Sequence, residues 1–300
     1  MIKTEKCIAM ASRVFERPKH FESDASFRKW ERCQNKMQKL LYSKRHAQIR
    51  RVQDGRAFSV FIDGKNILYT GLRPRLKSVL WPLTEEDPKR QTPEEVKARK
   101  STEFKSIKST YKAKDCKLYG AKHGSLVHKQ MEQYFSCFVS GNQEDALKDP
   151  DPCTVRLISS IADNGWIPVA SELEIWDKEW RVATSIDMVV YDPKEFELVL
   201  LEFKTGKENQ EYGPHPSDKK LPYPFQEITN CPLVRDEFQL FSMNRILARC
   251  YGVTVDESFI LRARPKAGGT DKIGLFEWCT KKKYKDFLDT TMLDKKSAGR

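Results

Sequence analysis

Residues 180–206 read Trp180-Arg-Val-Ala-Thr-Ser-Ile-Asp187-Met-Val-Val-Tyr-Asp-Pro-Lys-Glu-Phe-Glu-Leu-Val-Leu-Leu-Glu202-Phe-Lys204-Thr-Gly206. Asp192-Pro193 divides the run into two extended segments, because this pair stops a strand and opens a turn. In the first segment Trp180, Val182, Thr184, Ile186, Met188 and Val190 share one face at period two, and Ala183, Ser185 and Asp187 share the other. In the second, Leu198, Leu200, Glu202 and Lys204 lie on one face, so two charges follow two apolar residues on the same side of a buried strand. Buried charges are costly unless paired or bound to metal. Neighbouring strands would set Asp187 beside Glu202-Phe203-Lys204 and bring two carboxylates and an ammonium together.

Oxygen ligands with a single lysine suit a hard divalent cation, Mg²⁺ or Mn²⁺ rather than Zn²⁺. Phosphodiester hydrolysis needs a deprotonated water in line with the leaving oxygen and stabilisation of charge on the phosphoryl oxygens. On this reading Asp187 and Glu202 hold the metal, the Phe203 carbonyl is a further ligand, and Lys204 orients or activates the water. His128, on an upstream helix, offers an imidazole ligand better suited to Mn²⁺. The plainer alternative is that Asp187 and Glu202 are salt-bridged to Lys204 or Arg181, and that His128 is a satisfied or exposed histidine.

Working outward, Trp166–Trp176 is extended and carries Glu172, and Asp177-Lys178 turns it into the Asp187 strand. Upstream, helices are expected over Ser125–Phe138, with Val127, Met131, Tyr134 and Phe138 as its core stripe, and over Thr154–Asn164. Downstream come a proline-rich loop, a helix over Val234–Tyr251, strands at Glu257–Arg264 and Gly274–Cys279, and a helix at Thr280–Leu288. This order predicts an α/β fold: a mixed sheet flanked by helices, with Val234–Tyr251 crossing between parallel neighbours.

The N-terminal part differs in character. Ser26–Val52 reads as an amphipathic basic helix, with Trp30, Cys33, Met37, Leu40 and Leu41 as its apolar stripe. Ala57–Ile62 and Lys65–Tyr69 read as a hairpin around the two-residue turn Asp63-Gly64, and residues 82–118 as an exposed helix or connector. Residues 1–120 hold 29 Lys and Arg against 14 Asp and Glu, while residues 121–300 hold 25 against 28, so the net charge of +12 comes wholly from the first part. Such a surplus points to a polyanion or to a solvated face. We divide the chain into a basic accessory region (1–118), a core (119–292) and a tail (293–300).

Hydrophobic content of 39% and aromatic content of 11% mark a folded chain. No apolar run reaches membrane-spanning length and no signal segment opens the sequence, so a soluble intracellular protein is expected. The eight cysteines are scattered without a Cys-x-x-Cys pair, which argues against structural zinc.

Ser185-Ile-Asp187-Met-Val-Val with Leu200-Leu-Glu202-Phe-Lys204-Thr-Gly206 resembles the signature of the PD-(D/E)XK nucleases, in particular the RecB-like branch that includes the lambda-type exonucleases. Gly124-Ser-Leu-Val-His128-Lys-Gln-Met-Glu132 resembles the branch's leading helix, Ser171-Glu172 the acidic residue of its first strand, and Gln239-Leu-Phe-Ser-Met243 its glutamine-bearing helix. Met243 stands where the branch often has tyrosine, and Thr184 or Ser185 where it often has glycine. The resemblance covers roughly residues 119–265 and implies a restriction-endonuclease-like fold. It further implies a DNA exonuclease using one or two Mg²⁺ or Mn²⁺ ions on linear DNA, with Asp187, Glu202, Lys204, Gln239 and Glu172 catalytic and His128 helping to bind metal. Lys36, Lys39, Arg45 and Arg50 are the candidate phosphate contacts of a DNA-gripping N-terminal region. Two alternatives stay open, an RNA endonuclease of the cap-snatching kind and a nucleic-acid-binding protein without catalysis.

Overall fold

Helix α1 (Asp24–Leu41) opens at Ser23, whose hydroxyl accepts the Ser26 N–H at 3.2 Å, with Asp24 in the first turn and Lys39 in the last. The helix expected over Ser26–Val52 stops at Leu41. His46 marks the break: its Nε2 lies 2.6 Å from the Leu40 carbonyl and its Nδ1 2.8 Å from that of Glu174. The next residues form strand β1 (Ile49–Arg51), in which Ile49, Arg50 and Arg51 pair with Val60, Ser59 and Phe58 of β2 (Ala57–Ile62). Arg50 therefore lies on an edge strand rather than on a helix. The hairpin from β2 to β3 (Lys65–Gly71) forms as expected, with Asp63 and Gly64 at φ of 49° and 77°, the left-handed pair a two-residue turn requires.

The computed structural model describes residues 21–52, 57–80, 121–140, 149–205, 225–264 and 270–274, together with 213, 220, 221, 223, 285, 286, 289 and 292. Residues 82–118, the tail 293–300 and, apart from 285 and 286, the expected Thr280–Leu288 helix lie outside the described residues. After β3 come α2 (Leu72–Leu80), α3 (Ala121–Ser140), α4 (Pro152–Asp163), β4 (Ile167–Asp177), β5 (Val182–Asp192) and β6 (Glu197–Thr205). Helix α5 (Pro232–Ile246), extended by a π turn at Leu247–Tyr251, leads to β7 (Glu257–Ala263) and β8 (Thr270–Gly274). Strand β8 runs up to Gly274, and residues 275–279 of the strand expected at Gly274–Cys279 lie outside the described residues. An Arg264–Asp271 ion pair at 2.7 Å closes its hairpin with β7.

The strands make one open mixed sheet of eight, in the order β1-β2-β3-β5-β6-β7-β8, with β4 paired to β5 off this path. β4, β5 and β6 are consecutive antiparallel neighbours, and α5 crosses between the parallel pair β6 and β7, as expected. One edge of β5 is taken along its length by β4. Two strands share the other edge: β3 runs parallel at Thr70↔Val182 and Gly71↔Ala183, and β6 runs antiparallel from Met188↔Leu201 to Asp192↔Glu197. Between these pairings, from Thr184 to Asp187, the edge of β5 is open.

At the same place the strand changes faces. Val182 and Ile186 pack in the larger core with Leu40 of α1, Leu76 of α2 and Phe238 of α5, whereas Met188 and Val190 pack in a second core with Val127 and Met131 of α3 and Leu157 of α4. The single face expected from Trp180 to Val190 is therefore split at Asp187. Opposite, on β4, Glu172 has a φ of 49°, a left-handed conformation that a strand interior ordinarily excludes. The paired irregularity turns both Asp187 and Met188 toward α3.

The described residues before position 119, namely 21–52 and 57–80, share the sheet and its larger core. Met37 and Leu40 of α1 and Leu72, Leu76 and Leu80 of α2 are fully buried there. The described part of the basic region accordingly contributes three strands and two α-helices to the same body of structure as Asp187 and Glu202. On α3, Phe135 joins Val127 and Met131 in the core, with Tyr134 and Phe138 packed partly buried beside them. No helix among the described residues is long and apolar enough to cross a membrane.

Candidate metal centre

The open edge of β5 places Asp187 between β4, β6 and α3. His128 Nδ1 lies 3.3 Å from Asp187 Oδ1 and 3.4 Å from Glu172 Oε1. Ligand atoms of His128, Glu172 and Asp187 all fall within 4.8 Å of one another, a spacing that one cation could span. The backbone group of Phe203 that meets these carboxylates is its N–H, which donates to Asp187 Oδ2 at 2.7 Å.

Glu202 belongs to an adjoining group on the α5 side. Its Oε1 accepts from Gln239 Nε2 at 2.9 Å and from Lys204 Nζ, while its Oε2 is buried with no hydrogen-bond partner. Lys204 Nζ also lies 3.5 Å from Asp236 Oδ1, and that oxygen takes a 2.6 Å bond from Arg73 Nη2. Sequence reading missed Asp236. Its signal was position: it lies three residues before Gln239 on one helix, a spacing that puts both on one face.

The charges on these groups follow from burial and proximity. The Asp187 carboxylate pushes the His128 imidazole up to about 10, against the opposing effect of burial. Burial works against ionisation of Asp187, but the His128 cation, Lys204 and the Phe203 N–H together hold its carboxyl below the ordinary value. Glu202 goes the other way, pushed up to about 7 by burial and by the nearby Asp187 charge, which outweigh the Lys204 ammonium. Burial would lower Lys204, yet Glu202 and Asp236 raise it overall, so it stands as a cation. Two carboxylates with opposite shifts and a buried unpartnered carboxylate oxygen are the environment a cation would relieve.

His128, Glu172, Asp187, Glu202, Lys204 and Gln239 line one cleft of about 890 Å³, with Asp236 behind them. His128 and Lys129 come from α3, Glu172 and Glu174 from β4, and Arg51, Phe58 and Arg73 from the N-terminal strands and α2. Arg51 donates to Glu172 Oε2 at 3.1 Å and to the Ser185 hydroxyl. Of the candidate phosphate contacts, Lys36 is bonded to Asp256 at 2.6 Å and Arg45 stacks 4.1 Å over Trp176, while Lys39 and Arg50 are exposed. None of these four lines the cleft. Met243 is wholly buried in the larger core.

A second group of possible ligand atoms, His123, Asp151 and Cys153, is fully buried and internally satisfied. Asp151 caps α4 by accepting the Cys153 N–H at 2.9 Å, and its other oxygen lies 3.0 Å from His123 Nε2. It reads as a helix cap rather than a centre of chemistry. Comparison of the chain with protein-family models found no match, and comparison with curated protein sequences found none either.

Proposed function

We propose that this protein is a divalent-metal-dependent nuclease that hydrolyses phosphodiester bonds in DNA, acting from the ends of linear molecules. The observation that carries the reading is the convergence of His128, Glu172 and Asp187 at the open edge of β5, in the same cleft as Glu202, one of whose oxygens is buried without a partner. The arrangement of β4, β5, β6, α5 and β7 around these residues supports a restriction-endonuclease-like core of the RecB-like type.

The donor set fits Mg²⁺ or Mn²⁺: Glu172 and Asp187, with His128 once it gives up its proton and with Glu202 from the adjoining group, would hold one or two ions. Such an ion supplies charge neutralisation on phosphoryl oxygens and a more acidic water. Lys204 Nζ, fixed between Glu202 and Asp236, would orient the attacking water and offset negative charge on the phosphorane. Gln239 would hold Glu202 in one rotamer and keep its unpartnered Oε2 available as a ligand.

End-labelled linear DNA, circular DNA and RNA incubated with Mg²⁺, Mn²⁺ or EDTA test the reading. Loss of linear but not circular DNA, abolished by EDTA and by Asp187→Asn, is expected. Cleavage of RNA alone would move the activity to an RNA endonuclease, and no cleavage of any substrate with either metal would remove the enzymatic reading.

A further inference from the structure

The surplus of positive charge in the first part of the chain reaches the cleft through two side chains, Arg51 and Arg73. Arg51 follows the exposed Arg50 on β1, and strand alternation turns it to the side of its partner Phe58, which lines the cleft. Arg73 stands at the start of α2, immediately after β3 leaves the edge of β5. We propose that Arg51 and Arg73 form a phosphate clamp that holds a nucleic-acid backbone across the carboxylate centre, one guanidinium on each side of it. The proposal rests on the nuclease reading above and adds the residues that position its substrate.

Three observations support it. The arginines are anchored at different ends of the site: Arg51 on Glu172 and Ser185, Arg73 on Asp236 beside Lys204. Each is held through Nη2, while its side chain keeps 45% (Arg51) or 63% (Arg73) of its exposure. A guanidinium has five N–H donors, so both can bond a phosphate without leaving their anchors, and anchoring reduces the ordering cost of binding. Finally, Glu172, Glu174, Asp187 and Glu202 all line the cleft and would repel a phosphodiester. Fixed cations beside them are what a polyanion needs in order to approach.

The test measures binding of the 300-residue chain to a short labelled DNA by fluorescence anisotropy, with Ca²⁺ or EDTA, over a series of KCl concentrations. The variants are Arg51→Ala, Arg73→Ala, Arg51→Lys and Arg73→Lys, each checked for an unchanged thermal melt. Each alanine variant should bind roughly tenfold to a hundredfold more weakly at low salt. The slope of log affinity against log salt should fall by about 0.7–0.9 for each arginine removed. The lysine variants should keep the slope yet cleave more slowly, because an ammonium cannot make the planar two-point contact. If the wild type binds and cleaves DNA while both alanine variants keep its slope, the clamp is wrong and the nuclease reading stands. If the wild type neither binds nor cleaves DNA, both are overturned.

Discussion

The Phe203 N–H and Asp187 Oδ2 are joined at 2.7 Å, so the strand that carries Glu202 and Lys204 also holds the aspartate of its neighbour. Where regular pairing of β5 with β6 ends at Met188↔Leu201, this bond takes the place of a rung of the ladder. The geometry of Asp187 is consequently set by backbone, and that backbone lies between the two residues with which it would act.

Replacing Lys204 with alanine should lower cleavage by about 10²–10⁴-fold while leaving DNA affinity within a few-fold of the wild type. Single-turnover assays beside anisotropy measure both quantities. Full cleavage by this variant would take Lys204 out of the reaction.

Glu172 occupies a left-handed conformation without being glycine, which costs about 1–2 kcal/mol. Glu172→Gly and Glu172→Ala both lose the carboxylate, but only the alanine keeps the strained Cβ. The glycine variant should be the more stable by about 1–2 kcal/mol in urea unfolding, and both should lose metal affinity. Equal stabilities would show that the backbone relaxes at this position.

Leu40 is fully buried in the larger core, although it belongs to the basic N-terminal region. Leu40→Ala should therefore destabilise the whole protein by about 2–5 kcal/mol in a single unfolding transition. A separate early transition would show that α1 folds independently of the sheet.

Asp151 gives a pH dependence whose sign follows from its surroundings. Burial works against its ionisation, but the bonds from His123 and the Cys153 N–H hold its carboxyl below the ordinary value. A depressed folded-state value contributes stability above the unfolded value of about 3.9, and that contribution is lost as pH falls through the folded value. Asp151→Ala should be less stable than the wild type by about 1 kcal/mol at neutral pH, with the gap closing below about pH 4. Thermal melts of both proteins across this range check it, and a gap that widens in acid would reverse the sign.

The sequence made Asp187, Glu202 and Lys204 legible because charges at strand spacing stand out among valines and leucines. His128 follows from its place on an upstream helix, Glu172 and Gln239 come from a resemblance, and the structure brings all three to the same cleft. The change of faces at Asp187 was hidden, since it accompanies a backbone conformation of Glu172 that Arg51 and His128 hold from distant segments. The place of β1 to β3 was hidden too: the pairing of Thr70 with Val182 joins segments far apart, and no local pattern announces such a partner. The strand position of Arg51 was hidden because the charged residues after Leu41 carry no apolar pattern that distinguishes a continuing basic helix from an edge strand.

The attachment of α1 to the sheet also has a consequence for synthesis. Met37 and Leu40 are covered in a core to which Leu198 and Leu200 of β6 belong, so their apolar face waits uncovered until the chain has grown through residue 205. At ordinary elongation rates that wait lasts roughly ten seconds or longer, with the parallel join of β3 to β5 equally delayed. During it, the positive surplus of residues 1–120 would make nascent chains repel one another, so the same lysines and arginines would oppose aggregation before the fold is complete.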